Sequence, residues 1–153
     1  MTTLKITSIT NYLEINPNLG TAGMPDRSQF STIAKHGFQV VINLALNESP
    51  GAIPDEADLV TTLGMKYIHI PVIWEKPNLS DLELFFTAIQ NYSKSRIFVH
   101  CVLNMRVSVF VYLYRVMIVN ESHENAFRDV LKIWQPDPTW QSLIDSALSK
   151  TMK

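Results

Sequence analysis

The sequence predicts an α/β domain built on a mostly parallel sheet. Short apolar runs rich in β-branched residues recur at positions 40–44, 67–72 and 97–99. Amphipathic helical patterns with their own start and stop signals lie between them. Such runs suit strands covered on both faces, and their alternation with helices is the signature of parallel pairing.

The elements follow in order. Residues 12–15 and 19–22 flank the turn signal Asn16-Pro17-Asn18 and predict a short antiparallel pair. Pro25-Asp26 opens a helix with Phe30, Ile33 and Ala34 on one face, and Gly37 ends it. The strand at 40–44 comes next, and Pro50-Gly51 breaks the chain. Pro54 starts a second helix, with Asp55 and Glu56 read as N-terminal charges that suit the dipole. Leu59, Val60 and Leu63 give it an apolar face, and Gly64 stops it. After the strand at 67–72, Ser80 and Glu83 have capping-box spacing and predict a helix continuing through Leu84, Phe85, Ala88 and Ile89. The strand at 97–99 leads to a strongly apolar helix from Val107. Two further helices are expected near 123–133 and 139–148, separated by Pro136 and Pro138.

Composition narrows the function classes. The length of 153 residues suits one domain, taken as 1–153. Thirteen Lys+Arg against fourteen Asp+Glu leave a net charge of −1, so no basic footprint for nucleic acid or anionic lipid is present. The apolar stretch 107–119 contains Arg115 and falls short of the ~20 residues of a membrane span. With no apolar leader at the start and a single cysteine, Cys101, the expectation is a cytoplasmic protein without disulfide or cysteine-rich zinc site. Adjacent Asp55 and Glu56, with no histidine cluster, do not make a metal site.

Chemistry concentrates after the strand at 97–99. The sequence there reads His100-Cys101-Val102-Leu103-Asn104-Met105-Arg106-Val107-Ser108. The cysteine thus falls between a strand end and a helix N-terminus, where free backbone N–H groups and the helix dipole favour an anion. The same field favours a thiolate. Arg106 lies five residues on, within reach of the same anion. A thiolate, an amide cradle and a guanidinium are the parts needed to attack a phosphate ester.

On these residues the chain resembles the cysteine-dependent protein tyrosine phosphatases. More narrowly, it resembles the bacterial phosphatase-like family related to the domain fused to beta-lactamase-hydrolase-like proteins. The co-linear match takes in Thr21-Ala22-Gly23-Met24-Pro25, the strand from Gly37 to Leu44, Tyr67 to Val72, and the loop from His100 to Arg106. The resemblance implies a tyrosine/dual-specificity phosphatase-like fold and hydrolysis of a phosphomonoester, with phosphotyrosine among the candidates. It implies Cys101 as nucleophile, Arg106 as phosphate ligand, and the amides of Val102, Leu103, Asn104, Met105 and Arg106 as the cradle. His100 would orient the loop, and Ser108 would donate a hydrogen bond to Cys101. The partner is then a phosphorylated small molecule or a phosphoprotein, and no metal or organic cofactor is called for.

Three positions differ from the family pattern. Four residues separate Cys101 from Arg106, one fewer than in most tyrosine phosphatases but the spacing of the narrower family. Asn104 stands where glycine is usual, and Asn tolerates the left-handed conformation better than other side chains. Ile73 stands where a general-acid Asp is expected. Glu75 is the nearest substitute, followed by Asp81 and Asp55. The short loop leaves persulfide or sulfur transfer open, and the missing Asp leaves open a pseudophosphatase that binds phosphorylated partners without turnover.

Trp74 is expected near the pocket mouth. Trp134 and Trp140 read as packing residues, and His36 and His69 as structural.

Overall fold

The computed structural model describes residues 5–151. After a short 3₁₀ turn at Ile6–Ser8, strands β1 (Leu13–Asn16) and β2 (Leu19–Ala22) form the expected hairpin. Helix α1 (Gln29–Lys35), strand β3 (Val40–Asn43), helix α2 (Glu56–Thr62) and strand β4 (Lys66–His69) follow. Helix α3 (Leu79–Asn91), strand β5 (Ile97–His100) and helices α4 (Met105–Met117), α5 (His123–Leu131) and α6 (Pro138–Thr151) complete the order.

The strands make one sheet in the order β1-β2-β5-β3-β4. β1 runs antiparallel at the edge, and the other four are parallel. β5 is the central strand, with His100 in register with Ala22 on one side and Asn43 on the other.

Strand periodicity sorts the core into two layers. Ala22, Val41 and Phe98 point to α1 and α2, where they meet Phe30, Ile33 and Val60. Val40, Ile42, Ile97 and Val99 point to the opposite face, against Phe85, Val107, Phe110, Leu113 and Trp140. α4 packs against α3, α5 and α6. It is therefore buried on most of its surface, which explains its strongly apolar sequence. Among the described residues, no helix is long and apolar enough to cross a membrane.

Two local expectations are corrected. α3 is capped by Asn78, not Ser80. The Asn78 side chain accepts from the Asp81 amide at 2.8 Å and donates to the Asp81 carboxylate at 3.2 Å. Starting the helix earlier brings Leu79 onto the core, which a Ser80 cap would have left in the loop. β4 ends at His69 rather than running to Val72. Pro71 has no N–H to continue the ladder, although the amides of Ile70 and Val72 still reach Asn43 and Leu44.

Candidate active site

The segment between β5 and α4 is a four-residue loop, 101–104, at the carboxyl end of the central strand. Open α/β sheets bind ligands at this edge. Asn104 closes the loop in the left-handed region, with φ at 68°, and serves as the N-cap position of α4. Among the described residues, the backbone N–H groups of residues 102–107 find no backbone acceptor. Those of 105–107 belong to the first turn of α4, whose amides have no intrahelical partner.

The loop forms one wall of a cavity of about 350 Å³. Cys101, Val102, Leu103, Met105 and Arg106 line it from the loop and the start of α4. Leu46, Glu48, Ser49 and Pro50 contribute from the loop after β3, and Trp74 and Glu75 from the loop after β4. The Cys101 side chain is only 1% exposed and is a free thiol at the deep end. Glu48 and Glu75 are exposed and mark the mouth. Trp74 is fixed as a wall: its ring packs on Trp134 and Trp140 at 5.3 and 5.6 Å, and its carbonyl accepts from the Trp140 indole.

The two buried arginines of α4 separate structure from site. Arg115 is neutralised by Glu121 and Asp129. Arg106 is 6% exposed and, among the described residues, has no carboxylate partner. Its one hydrogen bond runs from Nη1 to the Val72 carbonyl at 2.9 Å. A guanidinium has five N–H donors, so the rest of the fork is left for another acceptor. A buried, unbalanced cation is costly unless an anion joins it.

Behind the loop lies a buried polar network. His100 is fully buried between the Phe30 and Phe98 rings. Its Nδ1 lies 3.2 Å from the Cys101 carbonyl and its Nε2 lies 2.7 Å from the Glu56 carboxylate. A carbonyl only accepts, so Nδ1 carries a proton and donates it to that carbonyl. Glu56, only 3% exposed, is approached on its other oxygen by Asn43 Nδ2 at 3.5 Å. Asn43 also donates to the Tyr67 hydroxyl at 3.1 Å. Burial pushes the Tyr67 phenol up to about 12; the Asn43 hydrogen bond opposes this and nearby Glu56 reinforces it. Tyr67 is thus a neutral phenol at ordinary pH.

A strap from the N-terminal hairpin holds the outer side of the loop. Asn104 Nδ2 donates to the Asn11 carbonyl at 2.9 Å and to Thr21 Oγ1 at 3.1 Å. Asn11 Nδ2 returns a bond to the Leu103 carbonyl at 3.0 Å. The Met24 amide donates to the Val102 carbonyl at 2.9 Å. Gly23 passes so close that a Cβ there would lie 2.4 Å from that carbonyl oxygen.

The structure therefore brings Cys101, Val102, Leu103, Met105, Arg106 and Glu75 to one cavity. Asn104 and His100 support the loop from behind and do not line it. The Ser108 expectation is corrected: its hydroxyl donates to the Met105 carbonyl at 2.7 Å and accepts from the Trp134 indole at 3.0 Å. As the fourth residue past Asn104 it has turned toward the Trp134 side of the helix, away from the thiol. Asp55 pairs with Arg27, and Asp81 is engaged by Asn78 at the start of α3, so neither carboxylate reaches the cavity. Glu56 opens α2 as expected, and its carboxylate is in addition the buried partner of His100. Sequence reasoning missed Glu48 altogether, because no motif surrounds it. Among the described residues no group of three or more metal-binding side chains occurs.

No family model matches the chain. In sequence it is 27% identical over 108 residues, 69% of its length, to a beta-lactamase hydrolase-like protein of Xylella fastidiosa. It spans only about a quarter of the length of that curated relative. In structure, a phosphatase-like DUF442 protein from Shewanella putrefaciens CN-32 superposes with a TM-score of 0.85 and 35% identity, covering 95% of this chain and 96% of that one. Tk-PTP in its active form gives a TM-score of 0.77 at 15% identity, covering 92% and 97%. PTPMT1 in complex with PI(5)P gives 0.77 at 14% identity, covering 93% and 97%. The last two show a shared fold.

Proposed function

The chain belongs to the phosphatase-like DUF442 family, and on that premise we propose that it is a hydrolase that cleaves a phosphomonoester through a phosphocysteine. The observation that carries this reading is Arg106, a buried guanidinium with no carboxylate partner among the described residues, lining the same cavity as the buried Cys101 thiol. Each part then has a role. The Cys101 sulfur attacks phosphorus while the bond from phosphorus to the leaving oxygen breaks. Arg106 and the amides of residues 102–106 hold the three non-bridging oxygens, where charge is concentrated in the transition state. Glu75 protonates the departing oxygen. Water then splits the sulfur–phosphorus bond, releasing phosphate and regenerating the thiolate. His100 positions the loop through the Cys101 carbonyl.

The Ile73 departure weighs little in this arrangement. Ile73 is not among the residues that line the cavity, whereas Glu75, two positions on, is. An exposed loop carboxylate at the mouth supports the general-acid assignment, a role that typically contributes ~10²–10⁴ in rate.

The test is hydrolysis of para-nitrophenyl phosphate by wild type and by Cys101→Ser. Turnover by wild type and its loss in the variant support the proposal; equal rates overturn it. Persulfide transfer, the rival kept open by the short loop, would appear as a mass gain of about 32 Da on Cys101 after incubation with thiosulfate.

A further inference from the structure

The cavity is asymmetric in charge, and this bears on what it accepts. Among the residues lining it, Arg106 is the single cation, and it is buried at the deep end. The two lining carboxylates, Glu48 and Glu75, stand at the mouth on facing loops. Between them the walls are apolar: Leu46, Leu103, Met105 and the immobilised Trp74 ring. Among the described residues, no cation pairs with Glu48. Lys76 follows Glu75 directly and lines a groove beside α6 together with it, and Arg27 is engaged by Asp55.

We propose that this cavity selects a phosphate monoester on a flat apolar body that carries positive charge beyond the phosphate. The inference rests on the phosphatase reading above. The phosphoryl group takes the guanidinium and the amides, the apolar body lies beside Trp74 with its ester oxygen toward Glu75, and the cationic part comes to rest against Glu48. A substrate with a second anionic group outside the pocket meets the Glu48 carboxylate and is disfavoured. At roughly 6–8 Å in a half-aqueous dielectric of about 40, one charge pair changes binding about 5- to 10-fold.

The experiment compares two short phosphotyrosine peptides that differ only in a Lys or a Glu beside the phosphorylated residue. Their kcat/KM ratio is measured at low salt for wild type, Glu48→Gln and Glu48→Lys. A ratio cancels any general loss of activity in a variant. Wild type is expected to prefer the Lys peptide by about 10-fold or more. The preference should vanish to within about twofold in Glu48→Gln and reverse in Glu48→Lys, and 0.5 M salt should compress it in wild type. A wild-type ratio near one, or a preference that survives Glu48→Lys, overturns the inference while leaving the phosphatase reading intact. If neither peptide turns over, that reading fails, and the same ratio is taken from the dissociation constants of both peptides for Cys101→Ser. A dissociation-constant ratio that favours Lys and collapses in Cys101→Ser/Glu48→Lys sustains the charge selection; equal constants overturn it.

Discussion

Gly23 lies outside the cavity, yet the structure makes it a determinant of the loop at residues 101–104. A Cβ built at Gly23 lies 2.4 Å from the Val102 carbonyl oxygen and 3.1 Å from both the Val102 carbonyl carbon and Thr10 Cγ2. Ordinary contact begins near 3.4 Å, so Gly23→Ala must push the strap and the loop apart by about 1 Å. Both sides are backbone, so no flexible side chain can absorb the shift. The displacement also strains the bond from the Met24 amide to the Val102 carbonyl. Overpacking of this kind costs about 1–3 kcal/mol. At this chain length that lowers Tm by roughly 4–8 °C for a mid-range value. The larger effect falls on function, because a 1 Å misplacement of a reacting group can cost ~10²-fold. The assay pairs thermal unfolding with aryl phosphate turnover and vanadate inhibition. Gly64→Ala is the control: Gly64 has φ at +88° but open space around it, so it should lose about 1 kcal/mol and keep its activity. Wild-type turnover and vanadate affinity in Gly23→Ala would show that the strap does not set the loop.

Three further outcomes follow from the buried polar groups. Glu56→Ala leaves His100 without its partner in a dry site and should destabilise the fold by about 3–5 kcal/mol by urea denaturation, whereas Glu56→Gln keeps a hydrogen bond and should cost much less. Equal losses in both variants would mean that the pair is not coupled. Asn104→Gly should be less harmful than Asn104→Ala by about 1 kcal/mol, because both lose the strap hydrogen bonds but only Ala also pays for a positive φ. The third concerns acid. The hydrogen bond from Arg115 holds Glu121 below its usual carboxylate range. At Asp129 burial opposes ionisation, but hydrogen bonds from Arg115 and Lys132 outweigh it and hold it low as well. Groups depressed in the fold stabilise it above their unfolded values, near about pH 4, and that contribution is lost as pH falls further. Arg115→Met should therefore flatten the fall of Tm with pH below about pH 4; an unchanged acid limb would refute the assignment.

The parts legible in the sequence are those fixed by local pattern. The strands at 40–43 and 97–100 announce themselves as uninterrupted apolar runs, and the helix stops at Gly37 and Gly64 do adopt positive φ. Cys101 and Arg106 were legible because a strand end, a short loop and a helix start are all sequence-local. What escaped is set by distance along the chain. Glu56 meets His100 across 44 residues, and Asn104 meets Asn11 across 93. Periodicity cannot tell a helix-start carboxylate that faces solvent from one swung beneath a neighbouring strand. Glu48 was invisible for another reason: it becomes part of the mouth only because β3 and β4 end at the same sheet edge. The α3 cap was missed between two competent candidates, and the burial of Leu79 decided it.

The loop itself poses a physical question: how four residues without a glycine, Cys101 to Asn104, turn a strand into a helix and still leave the amides of 102–104 free of backbone acceptors. Glycine would supply the left-handed residue without strain, but it would leave the loop floppy when no anion is bound. Asn104 supplies the same conformation and adds two donors that fasten it to Asn11 and Thr21. The reciprocal bond from Asn11 to the Leu103 carbonyl occupies an acceptor that would otherwise compete for solvent. Together with the bond from Met24 to Val102, the outward-facing carbonyls of 102 and 103 are both engaged, while the amides of the same segment are not. A peptide unit whose carbonyl is anchored on one side presents its N–H to the other. The shorter loop is thus paired with an external strap that fixes peptide orientation in advance, the condition under which aligned dipoles stabilise developing charge without reorganising. In this chain the N-terminal hairpin helps to hold the loop in place, although among the described residues it contributes no side chain to the cavity.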